Sequence, residues 1–507
     1  MTKLKRILAL GCAAALLTAG LSGCSKQKNI FDLETNPTFS IMTGGSQPQS
    51  ADNNSPVVLA LEEYIGSKLG NSNFDLDIKF IPTSGYDEKV VATLASGNFP
   101  TAMMVGSKTA SIIQNARSGS FWDITDKITD ASKYPNLAKS NEVVLNNTSI
   151  DGKIYGVYRA RTLGRSGMSI REDWCEKVGL GLPTTIDEFY EVLKAFKEKD
   201  PDGNGKDDTF GMIMTTSPTT LNPMAIWFGA PNTWGEDENG DLKPAFMFDE
   251  YLDCLNFLHK CYEENLINQD FATYDGGKWD EQFLSSKAGV IIDVADRARR
   301  LAENMKNSTP DAKVGVLGYV KKDADSEPRT LPTTGYYGFY VFPTKSVVDE
   351  EHLDVALKVM DIMNDKTALD LMNFGIEGIH YTKDDEGYAV LSEDKELAKE
   401  YSDLNQVSTG IAESDLKKRY STDVAEAVDR VYKDNENYVV GNPAEPLVSD
   451  TYSRKGPQLD EIMSTANTQF ILGTINEEGY KAQIERWRTQ GGDDYIEEIN
   501  KAYKAIK

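Results

Sequence analysis

Between residues 56 and 105 the chain changes its apolar period three times, and this alternation restricts the fold more than any other feature. The stretch PVVLALEEYIGSKLG spaces its apolar side chains at helical intervals, whereas FDLDIKFIP alternates apolar with polar. YDEKVVATLASG returns to the helical period, and TAMMVG is a short apolar run of the kind a sheet buries on both faces. Helices set between strands predict α/β layers with mainly parallel strands. With 507 residues the chain is too long for one compact core, so two or more domains are expected.

Lys3, Lys5 and Arg6 precede an apolar run from Ile7 to about Leu17, followed by small residues, which reads as a secretory signal over residues 1–23. The run is too short to span a bilayer, which takes roughly 20 apolar residues. It ends in Leu21-Ser22-Gly23-Cys24, which resembles the bacterial lipobox, where cleavage precedes a cysteine that then carries lipid. Residues 24–37 are polar and weakly patterned, a flexible tether. The expected location is the outer, extracytoplasmic face of the bacterial cytoplasmic membrane, with the body held by a lipid on Cys24. Cys12 leaves with the signal, so Cys175, Cys254 and Cys261 remain, an odd number that makes no disulfide framework. Cys254 and Cys261 are seven apart in YLDCLNFLHKCYEENL and read as small core hydrophobes.

Acidic residues outnumber basic ones by 79 to 54, and loss of the three basic signal residues takes the net charge from −25 to −28. Such a surface repels phosphate backbones, and the densest basic patch, Arg297-Ala298-Arg299-Arg300, is too short to offset it, so nucleic-acid binding is not expected. The acidity favours a soluble monomer. His259, His352 and His380 form no H-E-x-x-H, no G-x-S-x-G elbow is present, and no Gly-Lys is followed by Ser or Thr. Two carboxylates suffice for a glycosidase, and acidic pairs are too frequent here for the sequence to exclude one.

The densest signals lie in GMSIREDWCEKVGLGLPTTIDEFYEVLKAFKEKDPDGNGKDDTFG, residues 167–211. Thr185 is a helix start with Asp187 and Glu188 in the first turn, and Phe189, Val192, Leu193 and Phe196 mark the buried face. That helix presents DPDGNGKDD, the front half of a calcium loop. Asp200, Asp202 and Asn204 take the first, third and fifth positions, Gly205 the sixth, the Lys206 carbonyl the seventh and Asp208 the ninth. Gly211 stands at the twelfth, where an EF-hand places a bidentate Glu.

The order of Arg-x-Asp-Trp (171–174), Lys-x-Gly-Leu (177–180), PTTIDEF (183–189) and DPDGNGK (200–206) resembles the extracellular solute-binding proteins, family 1, of bacterial ABC importers. It is most similar to their large lipoprotein branch, of oligosaccharide-binding type. ENLINQDFAT (264–273), TTGYYGFYVFPT (333–344), NFGIEGIHYT (373–382) and the stretch from Ile471 to Tyr503 extend the resemblance over most of the chain. It implies a two-lobed, type II periplasmic-binding-protein-like α/β fold, with the ligand cleft between lobes joined by crossing strands. The expected first lobe is 38–160 with 287–345, and the second is 161–286 with 346–507. The resemblance also implies a structural calcium ion on the 200–208 loop, with Asp207, water or a residue elsewhere completing the shell. It further implies a saccharide ligand, and membrane permease subunits driven by an ATPase on a separate chain.

A saccharide cleft needs aromatic faces beside planar polar groups. Trp227 and Trp234 in AIWFGAPNTWG, Trp279 after two glycines in YDGGKWDEQF, and Tyr336 or Tyr337 in TTGYYGF are the aromatic candidates. Asp296 and Arg297, after the apolar run AGVIIDV, offer bidentate hydrogen bonds or an interlobe ion pair. Gln47, Asn53 and Asn54 are polar candidates in the loop after the first strand. Trp122, Trp174 and Trp487 read as packing residues.

Overall fold

The computed structural model describes residues 30–46, 49–420 and 422–506, so the calls at Cys24 and Gln47 lie outside the described residues. Its strands are β1 (Thr38–Gly45), β2 (Asp75–Pro82), β3 (Ala102–Val105), β4 (Gly156–Ala160), β5 (Ser166–Arg171), β6 (Phe210–Met212), β7 (Trp234–Glu236), β8 (Leu242–Pro244), β9 (Ala288–Val294), β10 (Val314–Leu317), β11 (Tyr336–Val341), β12 (Tyr381–Lys383) and β13 (Ala389–Leu391), the last two forming a two-stranded sheet of their own. One sheet has the order β2-β1-β3-β11-β4 and a second the order β10-β5-β9-β6, while β7 and β8 form a separate ribbon.

Local chemistry accounts for these elements. In β2, Leu76, Ile78 and Phe80 point inward and the residues between them outward, whereas all four residues of β3 and all six of β5 are buried. The helix Pro56–Leu69 starts where the Ser55 side chain accepts a hydrogen bond from the Val58 amide, and it stops at Gly70 in a left-handed conformation. The helix Ile186–Glu198 starts at Thr185 as expected. Its Glu188 carboxylate reaches back to accept from the Thr184 amide at 2.7 Å and hydroxyl at 2.6 Å. Cys175, Cys254 and Cys261 are buried free thiols in the second core.

The sheets are mixed, not mainly parallel. β1 runs parallel to β2 and β3, and β6 parallel to β9, while β11 is antiparallel to β3 and β4, and β5 antiparallel to β9 and β10. A strand arriving from the other lobe enters the sheet from the opposite end, and a periodicity reading cannot see this.

The lobes also divide differently from the expected boundaries. The expected tether does not extend to residue 37: Phe31 is buried edge-on to Phe39 in the first-lobe core and its amide donates to the Ser346 carbonyl at 3.2 Å, so residues 30–37 are part of that lobe. β9 and β10, with the helix Asp296–Ser308 packed beside them, belong to the second sheet and not to the first lobe. Conversely, Leu353, Leu357, Met360, Leu369 and Val407 are buried in the core of the first lobe. Apolar runs such as AGVIIDV state that a strand is buried but not which sheet buries it. The chain passes between lobes at 161–165, at 318–335, and again between Ala412 and the helix Asp423–Asn435.

The passage is tight at one buried side chain. The Asn435 amide donates to the Gly164 carbonyl at 2.9 Å and the Ser166 carbonyl at 2.8 Å. A Cβ on Gly318 would lie 1.9 Å from Asn435 Oδ1, and one on Gly164 would lie 2.4 Å from the Tyr432 carbonyl oxygen. Two crossing segments therefore close around one asparagine, and both need glycine there.

Candidate ligand-binding cleft

The first two crossings place the carboxyl ends of β1, β3 and β4 and the start of β11 toward the second lobe, facing the carboxyl ends of β6 and β9. Each edge carries a cavity. On the first lobe, a space of about 520 Å³ is lined by Gly44, Gly45, Gly106, Arg159, Tyr337 and Gln406, with Asp87 and Asp403 also on its wall. On the second, a space of about 410 Å³ begins at Thr215–Ser217, just beyond β6, and is walled by Trp234, Phe246, Tyr452, Trp487 and Tyr495.

The two tyrosines of TTGYYGF part company at a register shift between Tyr336 and Phe339. Gly338 makes it possible: its φ is 86°, and a Cβ there would lie 2.5 Å from the Val105 carbonyl oxygen. Tyr336 turns inward onto Phe339, and burial pushes its hydroxyl pKa up. Tyr337 stays half exposed at the first-lobe cavity, with the Arg161 and Arg159 guanidinium carbons 5.2 and 5.7 Å from its ring centre.

The tryptophans separate in the same way. Trp234 lines the second-lobe cavity, its ring edge-on to Tyr495 at 4.9 Å. Trp227 does not: it belongs to the helix Pro218–Phe228, is buried to 2% exposure and packs edge-on against Phe189 at 6.4 Å. Trp279 also lines neither cavity and sits in a side core with Phe283, its ring 5.0 Å from the Arg297 guanidinium carbon. Both indole nitrogens are buried without a hydrogen-bond partner among the described residues.

Asp296 and Arg297 are engaged within the second lobe and its hinge. Arg297 donates to Asp293 at 2.8 Å and pairs with Asp280, so its ion pairs are internal to the lobe. Asp296 accepts from Arg165 Nε and a terminal nitrogen, both at 3.1 Å, and from the Tyr432 hydroxyl at 2.8 Å. Burial opposes ionisation of Asp296, but Tyr432 and Arg165 outweigh it and hold the carboxyl below the usual range. Asn53 and Asn54 brace their own loop: Asn53 donates to Asp77 and accepts from the Ile78 amide, and Asn54 donates to Asp52.

Trp487, expected to be mere packing, is 3% exposed and nevertheless walls the second-lobe cavity. Tyr452 stacks on Tyr495 at 4.7 Å and 24° and donates to Asp460 at 2.9 Å, where burial raises the carboxyl pKa. Tyr251 Oη accepts from the Asn467 amide at 3.1 Å, and the Tyr480 hydroxyl donates to Asn467 at 2.9 Å. Tyr452, Asn467 and Trp487 were missed because they come from helices more than two hundred residues from Thr215. One local signal was present, the glycine pair after RWRTQ: Gly491 has φ 133°, and a Cβ on Gly492 would lie 2.1 Å from Trp487 Cε3. Only glycine lets the indole seat.

At the 200–208 loop, Asp200, Gly203 and Gly205 have positive φ, and Asp200 accepts from the Asn204 and Gly205 amides at 3.1 and 2.8 Å. The Asn204 side-chain amide donates to Asp202 at 2.7 Å and Asp208 at 3.1 Å, and Lys287 pairs with Asp208 at 2.5 Å. The Gly205 amide holds Asp200 below the usual range, whereas burial, then Asp200 itself, pushes Asp202 up. Among the described residues no group of three or more His, Cys, Asp or Glu side chains is placed to hold a metal ion. The glycine at the twelfth position has a packing reason: a Cβ on Gly211 would lie 2.8 Å from Leu193 Cα.

Two α/β lobes, joined by crossing segments and each offering a cavity at the facing edge, define a two-lobed solute-binding protein. A family model described as bacterial extracellular solute-binding protein matches residues 56–368, and the chain belongs to that family. It is 38% identical to lipoprotein LipO of Bacillus subtilis (strain 168), over 99% of both chains. It is 33% identical to the polygalacturonan/rhamnogalacturonan-binding protein YtcQ of the same organism, over 86% of this chain and 87% of that one. Among solved structures, a human-milk-oligosaccharide (HMO) binding, ABC-transporter-associated solute-binding protein of Bifidobacterium longum infantis superposes with a TM-score of 0.68 at 20% identity, covering 93% of this chain and 99% of that one. An EF-hand mutant of the Streptococcus pneumoniae substrate-binding protein FusA, in complex with fructo-nystose, superposes with a TM-score of 0.62 at 18% identity, covering 92% and 99%.

Proposed function

We propose that this chain is the lipid-anchored, extracytoplasmic binding component of an ABC importer, which captures an oligosaccharide between its lobes and delivers it to membrane permease subunits powered by a separate ATPase. The observation that carries the reading is the second-lobe cavity. Trp234, Tyr452, Trp487 and Tyr495 offer flat faces for the C–H side of sugar rings, and Thr216, Ser217 and Asn222 offer hydroxyl and amide groups for the ring edges. Closure would bring Tyr337 of the first lobe onto the same ligand, the crossings at 161–165 and 318–335 acting as the hinge. The carbohydrate-binding names among the relatives support the ligand class, and the lipoprotein relative supports an anchor at Cys24.

A calcium ion on the 200–208 loop is part of this reading. The donor set fits a hard, oxygen-seeking cation: three carboxylates, the Asn204 carboxamide and the Lys206 carbonyl, with Asp200 and Asp202 crowded together. Rotation of the Asn204 carboxamide would turn its oxygen inward. Asp208 would have to give up part of its pairing with Lys287.

Incubation with a panel of oligosaccharides tests the function. A binding protein gains thermal stability with at least one of them and returns it intact, while an enzyme cleaves it. Absence of any stabilisation across neutral and acidic sugars would defeat the saccharide reading. For the anchor, Cys24→Ser should release the protein from membranes or leave its signal uncut; full membrane retention with the signal removed would refute it.

A further inference from the structure

We propose that Arg159 and Arg161 read a carboxylate on the ligand, so that the cleft takes a uronate-bearing oligosaccharide with its charged end on the first lobe and a neutral end in the aromatic cavity. The inference rests on the saccharide reading and is drawn from a contrast between Arg159 and Arg161 and other buried or half-buried arginines of the protein. Arg165 is bound to Asp296, Arg171 to Asp173, and Arg297 to Asp293 and Asp280. Arg329 donates to the Ile226 and Ala230 carbonyls at the end of a helix. Arg159 differs: a terminal nitrogen donates to neutral Gln406 at 3.0 Å, and its buried Nε has no hydrogen-bond partner among the described residues. Among the described residues, no carboxylate lies within 4.0 Å of the Arg159 or Arg161 guanidinium, although the chain has 79 acidic residues to supply one.

Both cations are half-buried and lie over the ring of Tyr337, so each raises the cost of the other. Burial, with Arg165 adding to it, pushes the Arg161 pKa down, and Asp296, already bound to Arg165, offsets this only in part. Of the acids on the cavity wall, Asp403 already accepts from the Ser46 amide and hydroxyl and from Ser50, and Asp87 is exposed. A bound carboxylate would supply the missing counter-charge with paired N–H donors. It would also offset the repulsion that a strongly acidic protein exerts on an anionic sugar. The second-lobe cavity is the reverse case. No Lys, Arg or His lines it among the described residues, and its one carboxylate, Asp460, would repel a second.

Calorimetry decides this with galacturonate, glucuronate and mannuronate trisaccharides, their methyl esters and neutral trisaccharides, titrated into the full mature chain. At least one free acid should bind about tenfold or more tighter than its own ester, which differs only in charge. Arg159→Gln and Arg161→Gln should each shrink that acid-over-ester margin to less than about threefold. Neither should lower the melting temperature, because each removes a half-buried charge with no carboxylate in direct contact. If a neutral sugar binds tightest and both variants bind it normally, the charge assignment falls and the saccharide reading stands. A lower melting temperature in Arg159→Gln would make that residue structural and overturn its role. If no saccharide of either charge binds, the saccharide reading itself fails and takes this inference with it.

Discussion

The two cavities of the cleft are built by opposite means. The first-lobe cavity is edged by backbone: Gly44, Gly45 and Gly106 keep the strand ends open, and its notable side chains, Tyr337 and Arg159, with Arg161 beside the Tyr337 ring, are only partly buried. The second-lobe cavity is a gap in a core, where Trp234 and Trp487 are both nearly inaccessible yet wall the space. A gap in a core is rigid and shape-selective, but its walls also hold the fold together. An edge of loops and cations contributes charge and reach and can change without cost to stability. Function and stability are therefore coupled in the second lobe and separable in the first.

The strongest test is Trp487→Ala. Deletion of a large buried aromatic should cost about 3–5 kcal/mol of folding stability together with ligand affinity. Gly492→Ala should reproduce both losses without touching the indole chemically, since its new Cβ would occupy the place of the ring. Denaturant unfolding and calorimetry on the same samples are the measurement, and a normally stable Trp487→Ala that has lost only binding would break the comparison. Trp227→Ala sharpens it from the other side: a comparable stability loss, with unchanged affinity in the folded fraction.

The calcium loop gives a smaller, second-lobe effect. Chelation should lower the melting temperature, and calcium about tenfold above its dissociation constant should restore roughly 2–4 °C, with magnesium less effective. Asp200→Ala with Asp202→Ala should abolish the response. Identical melting curves in chelator and millimolar calcium, with no ion found by metal analysis, would reduce the loop to a solvated turn.

Acid should distinguish the lobes as well. In the first, Asp354 accepts from Lys127 at 2.6 Å, Lys133 at 2.8 Å and Tyr134 at 3.0 Å. Burial opposes its ionisation, but these donors outweigh it and lower its pKa to about 2. A depressed carboxylate pKa means that the stabilisation is complete above the unfolded value near 4 and is lost as pH falls toward 2. After solvent screening this amounts to about 1 kcal/mol. Asp354→Asn should flatten the stability profile in that window, and an unchanged slope would show that the ion cluster contributes nothing.

What the sequence made legible was local. The helix start at Thr185, the alternation in β2 and the contiguous oxygens of DPDGNGKDD depend on neighbours a few residues apart. Trp227 was misplaced for a local reason too. AIWFGAPNTWG looks like a loop because of its Gly, Pro and Asn, but the helix runs through Pro223 to Phe228 and turns only at Gly229, with φ 107°. The partner of a strand was not legible, so β9 and β10 were given to the wrong lobe. Nor was the company of Trp487, which depends on Phe246 and Tyr495 folding beside it.

Tyr337→Ala carries the smallest expected effect and the cleanest separation. The ring is half exposed and lies beneath two guanidinium groups, so its loss should leave the melting temperature unchanged. A stacking face on a bound sugar is worth about 0.5–1.5 kcal/mol, which predicts an affinity loss of roughly two- to tenfold. Tyr337→Phe keeps the face and should retain affinity. If Tyr337→Ala destabilises the protein as Trp487→Ala does, the first lobe is not the separable partner proposed here; if it alters neither stability nor binding, the ligand never reaches that edge, and closure must bring other residues of the first lobe onto it.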